Sequence, residues 1–318
     1  MVVVAIAGGT GNVGRFLVDA IVATGKHDVK VLSRKADPAL AAEIGAPIVA
    51  VDYTDVDALA KVLEDNKVHT VVSAIAMHSE VISGTPPGEI NLIHAADQSS
   101  TTKRIISSGW AVPADDILAG DLKSANQRNR AREELGKAKS LEYTVFNAGY
   151  FMDYWGIPAI PSYHSRMPTY FWIDMANNAA ALPGSGNDPG VFTHCSDVAR
   201  FVAASLDLPK WDPETNVYGD RLTWNEFLAL AEDAKGTKFS VVYDSVEKLK
   251  TGQTTELPAQ VPLYKFWPKE FMNAMAATFG LWFEQGAFDL KGVKFLNEQL
   301  PEIKPMTVKE MLDKAWRK

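Results

Sequence analysis

The 318-residue sequence has one cysteine, Cys195. A lone thiol rules out an intramolecular disulfide and any multi-thiolate metal site, and it suits a reducing compartment, so a cytoplasmic location is expected. Cationic excess is missing as well: 32 Lys and Arg stand against 39 Asp and Glu, a net charge of −7. A general phosphate-backbone binder needs clustered basic residues to displace counterions, so no nucleic-acid partner is expected. Long apolar runs are also absent. Val2–Ala7 lacks a basic leader and meets glycines after six apolar residues, and Phe271–Phe288 is broken by Asn273, Gly280, Glu284, Gln285 and Gly286. Neither stretch suits a secretory signal or a bilayer span, so no membrane partner is expected. His and carboxylate residues show no metal-ligand spacing, and no repeat or low-complexity linker is evident.

Apolar and aromatic residues are plentiful: 47% of the chain is hydrophobic, with 14 Phe, 9 Tyr and 8 Trp, the composition of a globular protein with a core to bury. Up to Asn147 short β-branched runs alternate with segments of helical periodicity. The predicted strands are Val2–Ala7, Val29–Ser33, Ile48–Val51, Thr70–Ala74, Arg104–Ser107 and Tyr143–Phe146. Helices are predicted at Val13–Thr24, ended by Gly25, and at Val56–Asp65 behind the N-cap candidate Asp55. This pattern gives a parallel sheet covered on both faces. After Gly149 prolines and aromatics crowd the Tyr150–Trp172 stretch, which predicts a loop-rich wall. Further helices are expected at Asp197–Leu206, Asn225–Ala234, Lys269–Phe283 and Val308–Trp316, with a strand at Phe239–Tyr243.

The first strand runs into Gly8-Gly9-Thr10-Gly11-Asn12-Val13-Gly14 and then a helix. In that context glycines let the backbone approach a pyrophosphate, and the helix N-terminus offers unpaired N–H groups to the anion. The expected fold class is therefore α/β: a Rossmann-type doubly wound parallel sheet with a smaller C-terminal α+β substrate lobe. The division expected is 1–149 for the dinucleotide-binding domain and 150–318 for the substrate lobe, with interleaved packing left open. Beyond the second strand stand Arg34 and Lys35, where a carboxylate would read the ribose of NAD and a cation reads a 2′-phosphate. NADP(H) is the expected cofactor; the alternative for Arg34 is a solvated surface charge. Asp52 and Tyr53 after the third strand, and Ala74, Ile75 and Ala76 after the fourth, lie at the carboxyl edge where ligands of open sheets bind. They serve either the nucleotide or local capping and packing.

The strings Ala7–Gly14, Val31-Leu32-Ser33-Arg34, Gly149-Tyr150-Phe151-Met152-Asp153-Tyr154 and Gly219-Asp220-Arg221-Leu222-Thr223-Trp224-Asn225-Glu226 resemble the NmrA-like and isoflavone-reductase-like proteins. These are an atypical branch of the short-chain dehydrogenase/reductases, and the texture is similar to fungal members. The resemblance implies that Gly149, Tyr150 and Phe151 lie near the nicotinamide and that Trp110, Trp155 and Tyr163 face substrate. It also implies a lysine acid near the start of the helix before the sixth strand. Here Arg128 aligns closest to that position, and arginine does not readily give up a proton. Lys123 is the nearest lysine and the catalytic candidate, with a solvated charge as its alternative. Ser107-Ser108-Gly109-Trp110 stands where many relatives carry Pro-Ser-Glu and an aromatic. The Tyr-x-x-x-Lys spacing of ordinary short-chain dehydrogenases does not occur. His78 and His164 are further proton-donor candidates, and Cys195 reads as a small buried hydrophobe.

The function these features imply is NADPH-dependent reduction of a small, aromatic carbonyl or activated-alkene substrate. The alternative from another class is a non-catalytic NADP(H)-sensing regulator of the NmrA type, and only that reading calls for a protein partner.

Overall fold

The computed structural model describes residues 1–76, 88–113, 123–164, 171–291 and 294–317, and of 123–126 the backbone alone. The chain divides into two compact units.

The first unit holds β1 (Val3–Ala7), α1 (Asn12–Thr24), β2 (Asp28–Ser33), α2 (Pro38–Ile44), β3 (Ile48–Ala50), α3 (Val56–Asp65), β4 (Val68–Ser73), α4 (Gly88–Gln98), β5 (Arg104–Ser107), α5 (Lys123–Lys137) and β6 (Glu142–Asn147). Its sheet has seven strands, ordered from the edge as Glu214–Asn216, β6, β5, β4, β1, β2, β3. All of them pair in parallel. Burial on both faces is why β1 reads as a continuous Val, Ile and Ala run rather than an alternating one. Strand order reverses at β1, so the glycine turn that follows β1 lies at the topological switch point, where open sheets bind ligands. The predicted caps form: Asp55 accepts the Ala58 N–H at 2.9 Å, and Gly25 adopts φ 63°. The apolar face of α3, with that of α4, packs on the sheet through Leu59, Leu63, Leu92, Ile93 and Ala96.

The expected boundary at residue 149 falls within two residues of the observed one, but the second half is not contiguous. Cys195–Val217 and Lys294–Ile303 return to the first unit. The cause is strand Glu214–Asn216, which extends the sheet beyond β6. Val217 N–H donates to Asn147 O at 3.0 Å, and Asn147 Nδ2 donates to Asn216 Oδ1 at 3.0 Å. Helix Cys195–Ser205 packs on α1 and buries Cys195.

The second unit comprises Ala148–His194, Tyr218–Val293 and Lys304–Lys318. One three-stranded sheet joins Asp220–Thr223, Pro189–Thr193 and Tyr150–Phe151; another joins Ser240–Asp244, Ala179–Pro183 and Ile173–Asp174. The Thr223-Trp224-Asn225-Glu226 string is a capping box: Glu226 N–H donates to Thr223 Oγ1 at 3.1 Å, while Glu226 Oε2 accepts the Thr223 N–H at 2.7 Å. It starts helix Trp224–Lys235. The core is aromatic, with Trp172 on Trp224 (4.9 Å between centroids), Trp155 on Phe227 (4.8 Å) and Phe283 stacked on Phe288 (4.2 Å). Among the described residues, no helix is long and apolar enough to cross a membrane.

Candidate active site

The glycine turn is built so that backbone alone fills it. Gly8 sits at φ 72°, and a Cβ there would stand 2.8 Å from Ala74 O, at the end of β4. A Cβ on Gly14 would fall 2.1 Å from Gly8 O, so only hydrogen lets α1 start this close to the turn. Gly11 N–H closes the turn on Gly8 O at 2.9 Å. Gly11 is also the N-cap of α1 and supplies no side-chain acceptor. With Thr10 and Gly11 exposed and Asn12 and Val13 half-buried, the helix presents its positive end uncapped. The cradle fits a dinucleotide diphosphate, which would supply the missing acceptors.

At the end of β2, Arg34 and Lys35 are both exposed, and neither makes an ion pair with a described residue. Across the sheet edge, Asp52 is engaged locally: its Oδ1 accepts the Thr54 N–H at 2.8 Å and the Thr54 hydroxyl at 2.7 Å. Those bonds hold its carboxyl below the ordinary range. The Tyr53 hydroxyl donates to Leu32 O at 3.0 Å, tying the loop after β3 to β2. Ala74 and Ile75 are half-buried and Ala76 exposed. Ala74 N–H is held by Ala7 O at 2.8 Å, which extends the β1–β4 pairing past the strand ends.

A buried carboxyl that sequence reading missed organises this edge. Glu89, in the first turn of α4, is 1% exposed. Its Oε1 accepts the Ser107 hydroxyl at 2.6 Å and the Ser108 N–H at 3.0 Å, and its Oε2 accepts the Ser73 hydroxyl. Burial pushes its pKa up against the lowering effect of those three bonds. The Ser108 hydroxyl donates to Ile75 O at 2.9 Å, and Trp110 Nε1 donates to Ser73 O at 3.0 Å. Glu89 thus joins the carboxyl ends of β4 and β5. Trp110, expected to face substrate, is 6% exposed at φ 51°, with its indole turned into this network.

Arg128, on α5, lines a small recess with Ser107, Ser108, Gly109, Val112, Arg132 and Val145. Burial lowers its pKa to about 10, with Arg132 adding a like-charge contribution. Arg132 is neutralised by Glu214 at 2.9 Å. Lys123 opens α5, but its side chain lies outside the described residues, as does His78.

In the second unit, Gly149 has φ 69°, and a Cβ there would stand 2.1 Å from Val191 O, so glycine is obligatory at this crossing. Tyr150 is 4% exposed among Trp155, Trp172, Phe192 and Trp224. Trp155 is 2% exposed and donates Nε1 to Ile173 O at 3.0 Å. Both therefore occupy core positions, a role the sequence did not signal. Phe151, Tyr154 and Tyr163 are half-buried. The His164 ring lies tilted against Phe151 (5.5 Å between centroids) and edge-on to Tyr154 (5.2 Å). Burial lowers its pKa, with Asp153 raising it and His194 lowering it.

This geometry has known counterparts. Residues 8–159 match a family model described as NAD(P)H-binding. The chain is 36% identical over 308 residues to the oxidoreductase BOA1 of Botryotinia fuckeliana, covering 96% of each. The chain belongs to the NmrA-like and isoflavone-reductase-like family. By that membership it is an NADP(H)-binding oxidoreductase. An isoflavone reductase-like protein of Olea europaea is 23% identical, with 97% of this chain and 96% of that one covered. Leucoanthocyanidin reductase of Vitis vinifera, solved with NADPH, shares the fold at a TM-score of 0.75 and 18% identity, with 98% of each chain covered.

Proposed function

We propose that the protein is an NADPH-dependent reductase of a small aromatic carbonyl or activated alkene. The observation that carries this reading is the uncapped N-terminus of α1 together with Arg34 at the end of β2, exposed and without an ion pair among the described residues. The cofactor, when bound, supplies a hydride. Around it, the Asn12–Gly14 amides at the start of α1 hold the diphosphate, and Arg34 with Lys35 reads the 2′-phosphate. Gly8 and Ala74 keep the floor of the site free of side chains. Glu89 fixes the Ile75 and Ser108 backbone that borders it. Lys123 is the proposed proton donor. The half-buried rings of Phe151, Tyr154 and Tyr163 support an aromatic substrate, since such faces stack on planar groups at little conformational cost.

The test is NADPH oxidation followed at 340 nm across quinones, enones and aryl aldehydes. Turnover on at least one class is expected. Tight NADPH binding without turnover on any of them would replace this reading with a dinucleotide-sensing regulator.

A further inference from the structure

We infer that Arg128 is an anion anchor: the recess it lines takes a carboxylate borne by the substrate. The inference rests on the reductase reading above and specifies the substrate class. Arg128 and Arg132, one helical turn apart on α5, both reach this recess beside the carboxyl end of β5. They differ in what they meet. Arg132 pairs with Glu214 at 2.9 Å, whereas Arg128 makes no ion pair or hydrogen bond with any described residue. Glu89 does not serve it, because both carboxyl oxygens are engaged by Ser73, Ser107 and Ser108.

Arg128 is half-buried, and a guanidinium so placed with no counter-charge among the described residues leaves its donor fork to water or to an anion from outside, which would complete it. The other lining groups suit such a guest. Ser107 and Ser108 bring polar edges, and Val112 and Val145 bring apolar ones. Gly109 is packed against its neighbours, since a Cβ there would stand 2.4 Å from Val145 Cγ1 and 3.1 Å from Phe146 O, so this part of the lining is backbone alone. A planar carboxylate matches the donor fork of arginine in a way that a neutral carbonyl does not. Arg128 therefore sorts substrates by charge, while protonation falls to another group.

The experiment uses the full chain saturated with NADP⁺, with benzoate and its neutral isostere benzamide as probes, followed by tryptophan fluorescence and thermal shift. Benzoate is expected to bind at least 10-fold tighter than benzamide. Arg128→Met should lose benzoate affinity by about 10–100-fold, the range for one charge-assisted contact, with NADPH affinity unchanged. Arg128→Lys should fall between, keeping charge but losing the fork. Without probe, Arg128→Met should melt at or above the wild-type temperature, because an unpaired charge has been removed. Equal binding of the two probes, no benzoate binding, unchanged benzoate affinity in Arg128→Met, or a lowered melting temperature in that variant would each overturn the anchor. Turnover on neutral aldehydes with no carboxylate preference overturns the anchor alone; absence of turnover on every class overturns the reductase reading alone.

Discussion

Glu89 and Ser107 meet at 2.6 Å, carboxyl Oε1 accepting the hydroxyl, with Glu89 1% exposed. Eighteen residues of chain separate them, so neither position announces the other. Burial raises the folded-state pKa of Glu89 above its unfolded value. The stabilisation it contributes is then fully present below the ordinary carboxylate range and is lost as pH rises through the raised value. Glu89→Gln removes this dependence and sets an amide N–H₂ against hydroxyl and N–H donors, at a cost of about 1–3 kcal/mol. Melting curves from acid to alkaline pH should show the wild-type advantage over Glu89→Gln shrinking as pH rises. A gap that stays flat or widens contradicts the burial account.

Gly14→Ala tests the cradle through packing alone. The added Cβ would lie 2.1 Å from Gly8 O, a backbone atom that cannot move without opening the turn. A loss of about 1–3 kcal/mol in stability is expected, together with at least about a 10-fold loss of NADPH affinity. Gly25→Ala is the control: nothing lies within 4 Å of the added carbon, and the cost is only that of φ 63°. NADPH affinity in that variant should match wild type. Equal losses in both would mean that the turn reports general stability rather than ligand geometry.

Lys123→Met addresses the proton donor. If Lys123 is the acid, turnover should fall by about 10²–10⁴-fold with NADPH affinity nearly unchanged. Wild-type turnover in single-turnover measurements would remove Lys123 and leave His78, His164 or a bound water to be tested next.

Much of the first unit was legible because its signals are local. Val56–Asp65 and Val308–Trp316 fall where periodicity and caps place them, and the glycine turn follows β1 as its spacing requires. Strand Glu214–Asn216 was not legible: three polar residues show no alternation, and only pairing with β6 makes them a strand. The site divides the same way. Arg34 is read as a candidate from its distance to the glycines alone, whereas the Glu89 network and the contrast between Arg128 and Arg132 depend on which helix face meets β5. Trp155 and Tyr150 show the converse, since an aromatic beside a motif reads alike whether it lines a pocket or fills a core.

Arg34→Ala is the sharpest test of cofactor choice. Arg34 is exposed at the end of β2 and pairs with no described residue, so removing it should leave the fold unchanged. A 2′-phosphate gives it a charge-assisted partner, whereas NADH leaves it in water at little cost. NADPH affinity should consequently drop by about 10–100-fold, and NADH affinity far less. Lys35, adjacent and also exposed, supplies a residual point charge, so Arg34→Ala combined with Lys35→Ala should go further than the single substitution. Because the contact is exposed, salt screens it, and wild-type NADPH affinity should fall more steeply with ionic strength than NADH affinity does. Fluorescence titrations of both dinucleotides at low and high salt measure each quantity on the same protein. An unchanged NADPH-to-NADH affinity ratio in Arg34→Ala would mean that the phosphate is read elsewhere.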